Sequence, residues 1–314
     1  MVHPRRHGHA PGGPSATVRR LEAPADPQPR PQVAPAGRFA VAGRARRQEP
    51  AEFADKTARA GKAGGLMSLQ LAESYRACQR LARRTASNFY YPFLLLPREK
   101  RRAMCALYAF LRQSDDLGDS PLPVERRRQA LARWREDLDA ALEGEFRSVY
   151  FPALADTVAR FGIPPAYLYS AIDGMEMDLE VRRYENFDDL RQYCYCVAST
   201  VGLACIHIWG FRSRAALMPA EQAGVAFQLT NILRDIKEDA ARGRIYLPLA
   251  DLRRFDYSPD ELLQGVCDDR FRELMEFQLD RARRLYDESR ELELWLHRDG
   301  VGIFRAMSGI YRAL

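Results

Sequence analysis

The sequence has few histidines, and its cysteines form no metal-binding pattern. Three of the five histidines fall in residues 1–66, which leaves His207 and His297 as isolated residues. A di-iron carboxylate bundle would need Glu-x-x-His on two helices, and neither histidine is part of such a motif. Of the six cysteines, Cys194 and Cys196 form C-x-C, but no second pair follows at zinc-finger spacing. We therefore expect reduced, buried thiols rather than a zinc or di-iron centre.

The sequence also lacks a long apolar run, a dinucleotide-binding fingerprint and a strand-like alternation. The apolar run from Tyr90 to Pro97 is eight residues long, whereas a transmembrane helix takes about 20. No Gly-x-Gly-x-x-Gly occurs in the part expected to fold, and NADPH use stays open. We expect a cytoplasmic protein without a transmembrane segment.

The composition changes sharply near Met67. Residues 1–66 hold 9 of the 19 prolines and 12 Lys/Arg against 5 Asp/Glu. Their net charge of +7 exceeds the +6 of the whole chain, which leaves about −1 for residues 67–314. We expect residues 1–66 to be a disordered basic extension, or to precede a true start at Met67. The extension lacks interleaved aromatic residues, so no nucleic-acid partner is expected.

From residue 69 onward apolar residues recur at helical spacing, and no alternating pattern competes with them. The predicted fold class is all-α, with residues 67–314 as a single-domain helical bundle around an apolar pocket. An apolar connector is predicted at 88–97. The predicted helices are 69–86, 98–117, 124–144, 151–161, 165–180, 187–209, 219–241, 260–296 and 301–314.

An acidic stripe lies in the helix predicted at 219–241. Asn231, Asp235 and Asp239 are spaced i, i+4, i+8, so they stack along one face. Two carboxylates one turn apart repel by about 0.2–0.5 kcal/mol, and Lys237 is two residues from each and cannot lie between them. A bound Mg²⁺ or Mn²⁺ would remove this repulsion, because these cations prefer oxygen ligands. A solvated acidic face is the alternative interpretation.

A second acidic cluster ends the helix predicted at 98–117. Asp115 and Asp119 are spaced i, i+4, and Asp116 is turned about 100° away. The residues from Met104 to Leu111 are almost wholly apolar, which indicates a buried helix. Two such clusters suggest a single site with acids on opposing walls, as a helical protein would need to hold a diphosphate through metal ions.

At these residues the sequence resembles a known family. Asp115-Asp-Leu-Gly-Asp119 and Asn231-Ile-Leu-Arg-Asp-Ile-Lys-Glu-Asp239, continued to Pro248, are similar to the two aspartate-rich motifs of the squalene/phytoene synthase family. Three further segments match in the family's order: Asn88 to Pro97, Ala103 to Phe110 and Tyr193 to Gly202. The resemblance runs from about Leu69 to the last residue.

The resemblance implies an isoprenoid-synthase-type bundle that catalyses a Mg²⁺-dependent head-to-head condensation of two allylic prenyl diphosphates, farnesyl or geranylgeranyl. The first product would be a cyclopropylcarbinyl diphosphate, which leads to squalene for hopanoids or sterols, or to phytoene for carotenoids. Lipophilic chains make peripheral membrane contact reasonable, and downstream isoprenoid enzymes are candidate partners. A class I terpene cyclase and a non-catalytic protein that keeps the fold are the alternatives.

The resemblance also assigns roles to residues. The metal ligands would be the acids and the amide of the two motifs: Asp115, Asp116, Asp119, Asn231, Asp235 and Asp239. Cations that stabilise the leaving diphosphate would be Arg112, Arg234 and Arg244. Aromatic residues that line the pocket or contact the diphosphate would be Phe89, Tyr108, Tyr193 and Tyr246, of which the three tyrosines are candidate catalytic residues. The channel for the prenyl chains would be shaped by Val197, Ala198, Val201, Gly202 and Gln228, and Tyr311 is a further candidate substrate-binding residue.

Two departures from the family pattern are visible. Thr85-Ala-Ser-Asn-Phe89 lacks the lysine that family members often carry before the phenylalanine. The sequence ends at Met307-Ser-Gly-Ile-Tyr-Arg-Ala-Leu314, inside a motif that relatives follow with one or two more helices. We therefore expect the C-terminus to be truncated.

Overall fold

The structure is a computed structural model that describes residues 50–180 and 183–314, with side chains described from residue 68 onward except those of 87–89. Phe53–Leu314 forms one compact unit by its backbone contacts, and the described residues 50–52 fall outside it. The prediction for residues 1–66 falls mostly outside the described residues and stays a prediction.

The described part of the chain is built from α-helices and holds no β-strand; its one β-bridge joins Phe211 and Leu296. The helices are α1 (Pro50–Thr85), α2 (Ser87–Phe93), α3 (Arg98–Gly118), α4 (Val124–Leu142), α5 (Phe151–Phe161), α6 (Pro165–Glu180), α7 (Phe187–Cys194), α8 (Thr200–Trp209), α9 (Leu217–Ala241), α10 (Leu249–Arg254), α11 (Pro259–Gln264), α12 (Asp269–Ser289), α13 (Leu292–Trp295) and α14 (Arg298–Ala313).

The predicted all-α class is confirmed, and several predicted elements are corrected. Helix α1 begins at Pro50 and not at residue 69, and α10 lies where no helix was predicted. The connector predicted at 88–97 contains the short helix α2. The helix predicted at 187–209 is interrupted by a π-helical turn, Tyr195–Ser199. The helix predicted at 260–296 is three helices, because Gly265 ends α11 at a φ of 70° and the side chain of Asp268 then caps α12.

Helix α3 lies at the centre of the main core, and aromatic packing fixes its last turns. Phe110 stacks on Trp134 of α4 with ring centroids 5.7 Å apart, and Trp134 packs on Phe151 of α5 at 4.5 Å. The indole Nε1 of Trp134 also donates a hydrogen bond of 3.0 Å to the Ser114 hydroxyl. Since Ser114 precedes Asp115, these contacts hold the first acidic motif in place.

The π-helical turn packs between α6 and α9, and glycines allow that close approach. A Cβ atom at Gly224 of α9 would lie 2.4 Å from the Ser199 Cα and 2.6 Å from the Ser199 backbone nitrogen. A Cβ atom at Gly174 of α6 would lie 2.5 Å from a methyl carbon of Val197. The turn therefore presents Val197 and Ala198 between two helices whose backbones nearly touch it.

All six cysteines are free thiols. Four of them are buried, and burial raises the pKa of each of these thiols. Cys196 is half-buried, and Cys267 is exposed, which corrects the expectation that all six are buried. No helix in the described ranges is both long and apolar enough to cross a bilayer.

Candidate active site

A cavity of about 380 Å³ lies inside the bundle, between α3, α6, the π-helical turn, α8, α9 and α14. This volume falls within the usual range for small-molecule sites. The cavity lining includes many of the residues predicted to contact substrate: Tyr108, Arg112, Asp115, Val197, Ala198, Val201, Gly202, Gln228, Asn231, Arg234 and Tyr311.

The cavity wall changes from apolar to polar along two helices. On α3 the lining residues begin with Met104 and Leu107 and end with Arg112 and Asp115. On α9 they begin with small apolar residues near Ala220 and end with the polar residues Gln228, Asn231 and Arg234. A ligand that fits this wall has an apolar body and a charged head.

Arginine 112 and the three acids of the first motif form one charged cluster. A guanidinium nitrogen of Arg112 donates a 2.5 Å hydrogen bond to Asp116, so the Asp116 carboxylate is engaged by an arginine on the same helix. The buried Nε of Arg112 has no hydrogen-bond partner among the described residues. Burial, followed by repulsion from Asp119, raises the pKa of the partly buried Asp115 to about 7.

The second motif repeats this arrangement on α9. Arg234 donates two hydrogen bonds to Asp235, of 2.7 and 2.6 Å. The amide nitrogen of Asn231 donates to Gln228 at 3.3 Å, while its buried Oδ1 has no partner among the described residues. Burial, followed by repulsion from Asp235, raises the pKa of Asp239 to about 6. Each motif thus holds a carboxylate whose negative charge is poorly stabilised.

Asp178 of α6, which was not predicted as a site residue, interacts electrostatically with both acidic clusters. Its charge contributes to raising the pKa values of both Asp115 and Asp239. Burial raises the pKa of Asp178 itself, and Asp119 adds to that effect. In the sequence Asp178 is one of several acids on α6, which include Asp173 and Glu176, and nothing in its spacing sets it apart from them.

Two of the predicted aromatic residues bind Asp178 instead of lining the cavity. Tyr193 and Tyr246 donate hydrogen bonds of 2.9 and 2.8 Å to the two carboxylate oxygens, and their rings stack 5.3 Å apart. Arg244, predicted as a diphosphate-binding cation, donates to the Asp178 backbone carbonyl at 3.1 Å. These contacts assemble a polar network behind the acidic clusters.

Tyr108 and Tyr311 line the cavity, whereas Asp116, Asp119, Asp235 and Asp239 are not among its lining residues. The Tyr108 hydroxyl is 3.1 Å from that of Thr85. Tyr311 of α14 stacks on Phe227 with ring centroids 4.5 Å apart, and its hydroxyl is hydrogen-bonded to the Asn231 side chain. The side chain of Phe89 lies outside the described residues.

The donor set fits a divalent cation that is shared with a phosphate group. Among the described residues, no three His, Cys, Asp or Glu side chains form a metal site by themselves. The buried Oδ1 of Asn231 accepts no hydrogen bond from a described residue, and the raised pKa values of Asp115 and Asp239 show that their negative charges are poorly stabilised. All three side chains offer hard oxygen ligands that a cation would stabilise. Mg²⁺ is typically held by one or two carboxylates together with substrate phosphate oxygens. The site therefore suits Mg²⁺ bound with a phosphorylated ligand.

The raised pKa of Asp115 predicts how stability depends on pH. The folded protein keeps this proton up to about pH 7, whereas the ordinary pKa is 3.8. Folding therefore takes up a proton between these values, and the free energy of unfolding falls as the pH rises through this range. Below about pH 4 both states carry the proton, and the contribution is constant.

We expect this fall in stability to be seen in thermal unfolding in EDTA between pH 5 and pH 8, and to be smaller for Asp115→Asn, whose side chain does not ionise. The exposed Asp280→Asn variant serves as a control. A wild-type stability profile that Asp115→Asn leaves unchanged would contradict the assignment.

An apolar cavity with one carboxylate, two amides and two arginines at its polar end, inside an all-α domain, defines a helical enzyme for a substrate with a phosphorylated head and an apolar tail. A family model described as squalene/phytoene synthase matches residues 82–314. The chain belongs to this family and is a prenyltransferase that condenses two allylic prenyl diphosphates head to head.

Named relatives and solved structures agree with this assignment. The chain is 41% identical over 231 residues to a 15-cis-phytoene synthase of Synechococcus elongatus, covering 70% of this chain and 75% of that protein. It is 41% identical over 239 residues to a 15-cis-phytoene synthase of Synechocystis, with coverages of 72% and 71%. The solved squalene synthase HpnC from Alicyclobacillus acidocaldarius superposes with a TM-score of 0.73 at 31% identity, over 78% of this chain and 94% of that one.

Proposed function

We propose that the chain joins two molecules of geranylgeranyl diphosphate into a phytoene-type product at the cavity described above. The observation that carries the proposal is that Asp115 and Arg112 of the first motif and Asn231 and Arg234 of the second line one polar end of an apolar cavity. The choice of the longer substrate rests on sequence similarity. Relatives named phytoene synthase share 38–41% identity with the chain, and the solved squalene synthase shares 31%.

The acidic motifs would hold Mg²⁺, or Mn²⁺, through Asp115, Asp119, Asp235 and Asp239 with the Asn231 amide oxygen. When bound, the cation neutralises charge on the diphosphate leaving group. The carboxylates of Asp116 and Asp235 already accept hydrogen bonds from Arg112 and Arg234, so either would have to share its oxygens between an arginine and the cation.

The two motif arginines would bind the diphosphate directly. Arg112 and Arg234 both line the cavity, and each is paired with a neighbouring aspartate that keeps its guanidinium in place. The unpartnered Nε of Arg112 can donate to a phosphate oxygen. Such fixed cations stabilise the negative charge that develops as the diphosphate leaves.

The apolar part of the cavity would protect the carbocation. Loss of diphosphate from the first substrate leaves an allylic cation, which the double bond of the second substrate attacks. Loss of one proton then closes the cyclopropane ring, and the second substrate keeps its diphosphate. Loss of that second diphosphate, rearrangement of the resulting cation and loss of a second proton give the phytoene-type hydrocarbon. Apolar walls exclude water, and the aromatic faces of Tyr108 and Phe227 can stabilise positive charge.

Peripheral membrane contact is part of the proposal, because a hydrocarbon product without its diphosphates leaves the protein most readily into lipid. No further protein partner is proposed.

Product analysis tests the proposed function. The protein is incubated with farnesyl or geranylgeranyl diphosphate, in Mg²⁺ or EDTA and with or without NADPH, and organic-phase products are identified by mass. We expect a C40 hydrocarbon from geranylgeranyl diphosphate in Mg²⁺ and none in EDTA. A C30 product formed faster from farnesyl diphosphate would overturn the substrate assignment. A cyclised C20 product would overturn head-to-head coupling.

A further inference from the structure

Helix α2 and the turn after it present apolar side chains to two opposite sides. Phe93 and Leu96 point inward and are 3% exposed, and Phe93 lines the cavity. Tyr91, Leu94 and Leu95 point outward and are 70%, 47% and 56% exposed. Backbone hydrogen bonds of 3.0–3.1 Å from residues 94–96 to residues 91–93 continue the helical turn, so the outward side chains are held on an ordered backbone. Three adjacent exposed apolar residues are typical of an interaction site.

A stripe of arginines precedes these apolar residues on α1. Arg76, Arg80, Arg83 and Arg84 are all exposed, and their spacing places them on one face of the helix. None of the four forms an ion pair with a described side chain. Arg83 donates a 2.7 Å hydrogen bond to the Tyr90 hydroxyl, which joins the stripe to α2. The hydrogen bond therefore places Arg83 beside the residue that precedes Tyr91, so exposed basic and apolar side chains are neighbours in the fold.

Positive charge is concentrated in this part of the chain. Residues 69–102 contain eight Lys/Arg and two Asp/Glu, a net charge of +6, whereas residues 67–314 together carry about −1. The rest of that region is therefore acidic, and the basic segment would orient the protein toward a negative surface.

We propose that the surface formed by Arg76, Arg80, Arg83, Arg84, Tyr91, Leu94 and Leu95, here called the α1–α2 surface, docks on the anionic face of a lipid bilayer. Exposed leucines and a tyrosine next to unpaired arginines match the pattern of interfacial membrane binding, in which apolar side chains enter the headgroup region and cations contact lipid phosphates.

The position of α2 also favours lipid over a protein partner. The same short helix borders the cavity through Phe93 and the outside through Tyr91. Docking here places the bilayer next to the cavity wall, where a hydrocarbon product can pass into lipid. This last step rests on the proposed function, whereas docking itself does not require catalysis.

Vesicle flotation of the full chain tests the docking without substrate. The probes are vesicles of neutral phosphatidylcholine, with or without anionic phosphatidylglycerol, at low ionic strength. We expect binding to the anionic vesicles and a loss of at least tenfold in partition coefficient for Tyr91→Ser/Leu94→Ser/Leu95→Ser. The matched control is Met218→Ser/Leu294→Ser, which replaces residues that are 61% and 67% exposed elsewhere and should bind as wild type does.

The three serine substitutions could disturb the structure of α2, so a second variant changes only arginines on α1. Arg80→Gln/Arg84→Gln retains good helix formers, and we expect it to weaken anionic binding by about 25-fold, since each of the two arginines near an anionic surface contributes about fivefold. Product formation in detergent micelles should be unchanged in both variants, which separates docking from the proposed function.

Wild-type levels of flotation in both variants would overturn the proposal and assign vesicle binding to the basic residues 1–66. The proposal would also be overturned if the wild-type protein did not bind anionic vesicles.

Discussion

Replacing Asp235 by asparagine is expected to lower kcat/KM by about 10²-fold to 10³-fold, the usual effect of removing one preorganised electrostatic group from an active site. The change keeps the shape of the side chain but removes the charge proposed to hold the cation. It also frees Arg234, which donates two hydrogen bonds to Asp235. We expect the Mg²⁺ concentration for half-maximal activity to rise, and the thermal stability to change little.

The matched control is Asp280→Asn on α12. Asp280 is likewise an aspartate paired with an arginine on its own helix, at 2.8 Å from Arg283, but it belongs to neither acidic motif. The activity of the Asp280→Asn variant should equal that of the wild type.

A double variant tests whether both motifs hold one diphosphate. If they do, Asp119→Asn combined with Asp235→Asn should lower activity by a smaller factor than the product of the two single effects. An Asp235→Asn enzyme within threefold of wild type would contradict the site assignment.

Replacing Gly224 by alanine is expected to destabilise the fold by about 1–3 kcal/mol, as overpacking of a close interface does. The new methyl group would meet the Ser199 backbone at 2.4–2.6 Å, and a backbone cannot turn aside as a flexible side chain can. In a protein of this size the loss corresponds to a fall in Tm of about 2–10 °C. Activity should fall as well, because the π-helical turn carries Val197 and Ala198 of the cavity wall.

Gly309→Ala is the matched control, since a Cβ atom at this exposed position on α14 would meet no atom within 4 Å. Alanine is the better helix former, so this variant should keep or slightly raise the Tm. A Gly224→Ala protein as stable as wild type would show that α9 and the π-helical turn are not packed as closely as described.

The sequence predicted the helices well because each carries its own local signals. Apolar residues at helical spacing and terminal prolines or glycines predicted helices at 151–161 and 165–180 with the observed ends. The π-helical turn could not be predicted, since its cause is tertiary. It forms where Gly174 and Gly224 let two other helices approach, and neither glycine is near it in the chain.

The parts of the candidate site that could be predicted are those marked by the spacing of residues along a helix. The i, i+4 pairs identified both acidic motifs, and small residues such as Gly202 line the cavity as expected. The role of Asp178 depends on contacts from Tyr193 and Tyr246, which lie 15 and 68 residues away along the chain. Contacts of this kind follow from the packed fold and leave no periodic signal in one sequence.

The central claim is that the acidic motifs on α3 and α9 together hold a metal-bound diphosphate. The most direct test is Mn²⁺ binding, measured by electron paramagnetic resonance, with and without inorganic diphosphate, for the wild type, Asp119→Asn and Asp235→Asn. The account predicts that diphosphate strengthens Mn²⁺ binding to the wild type and that either substitution weakens the ternary complex at least tenfold. Equal Mn²⁺ affinity in all three proteins in the presence of diphosphate would contradict it.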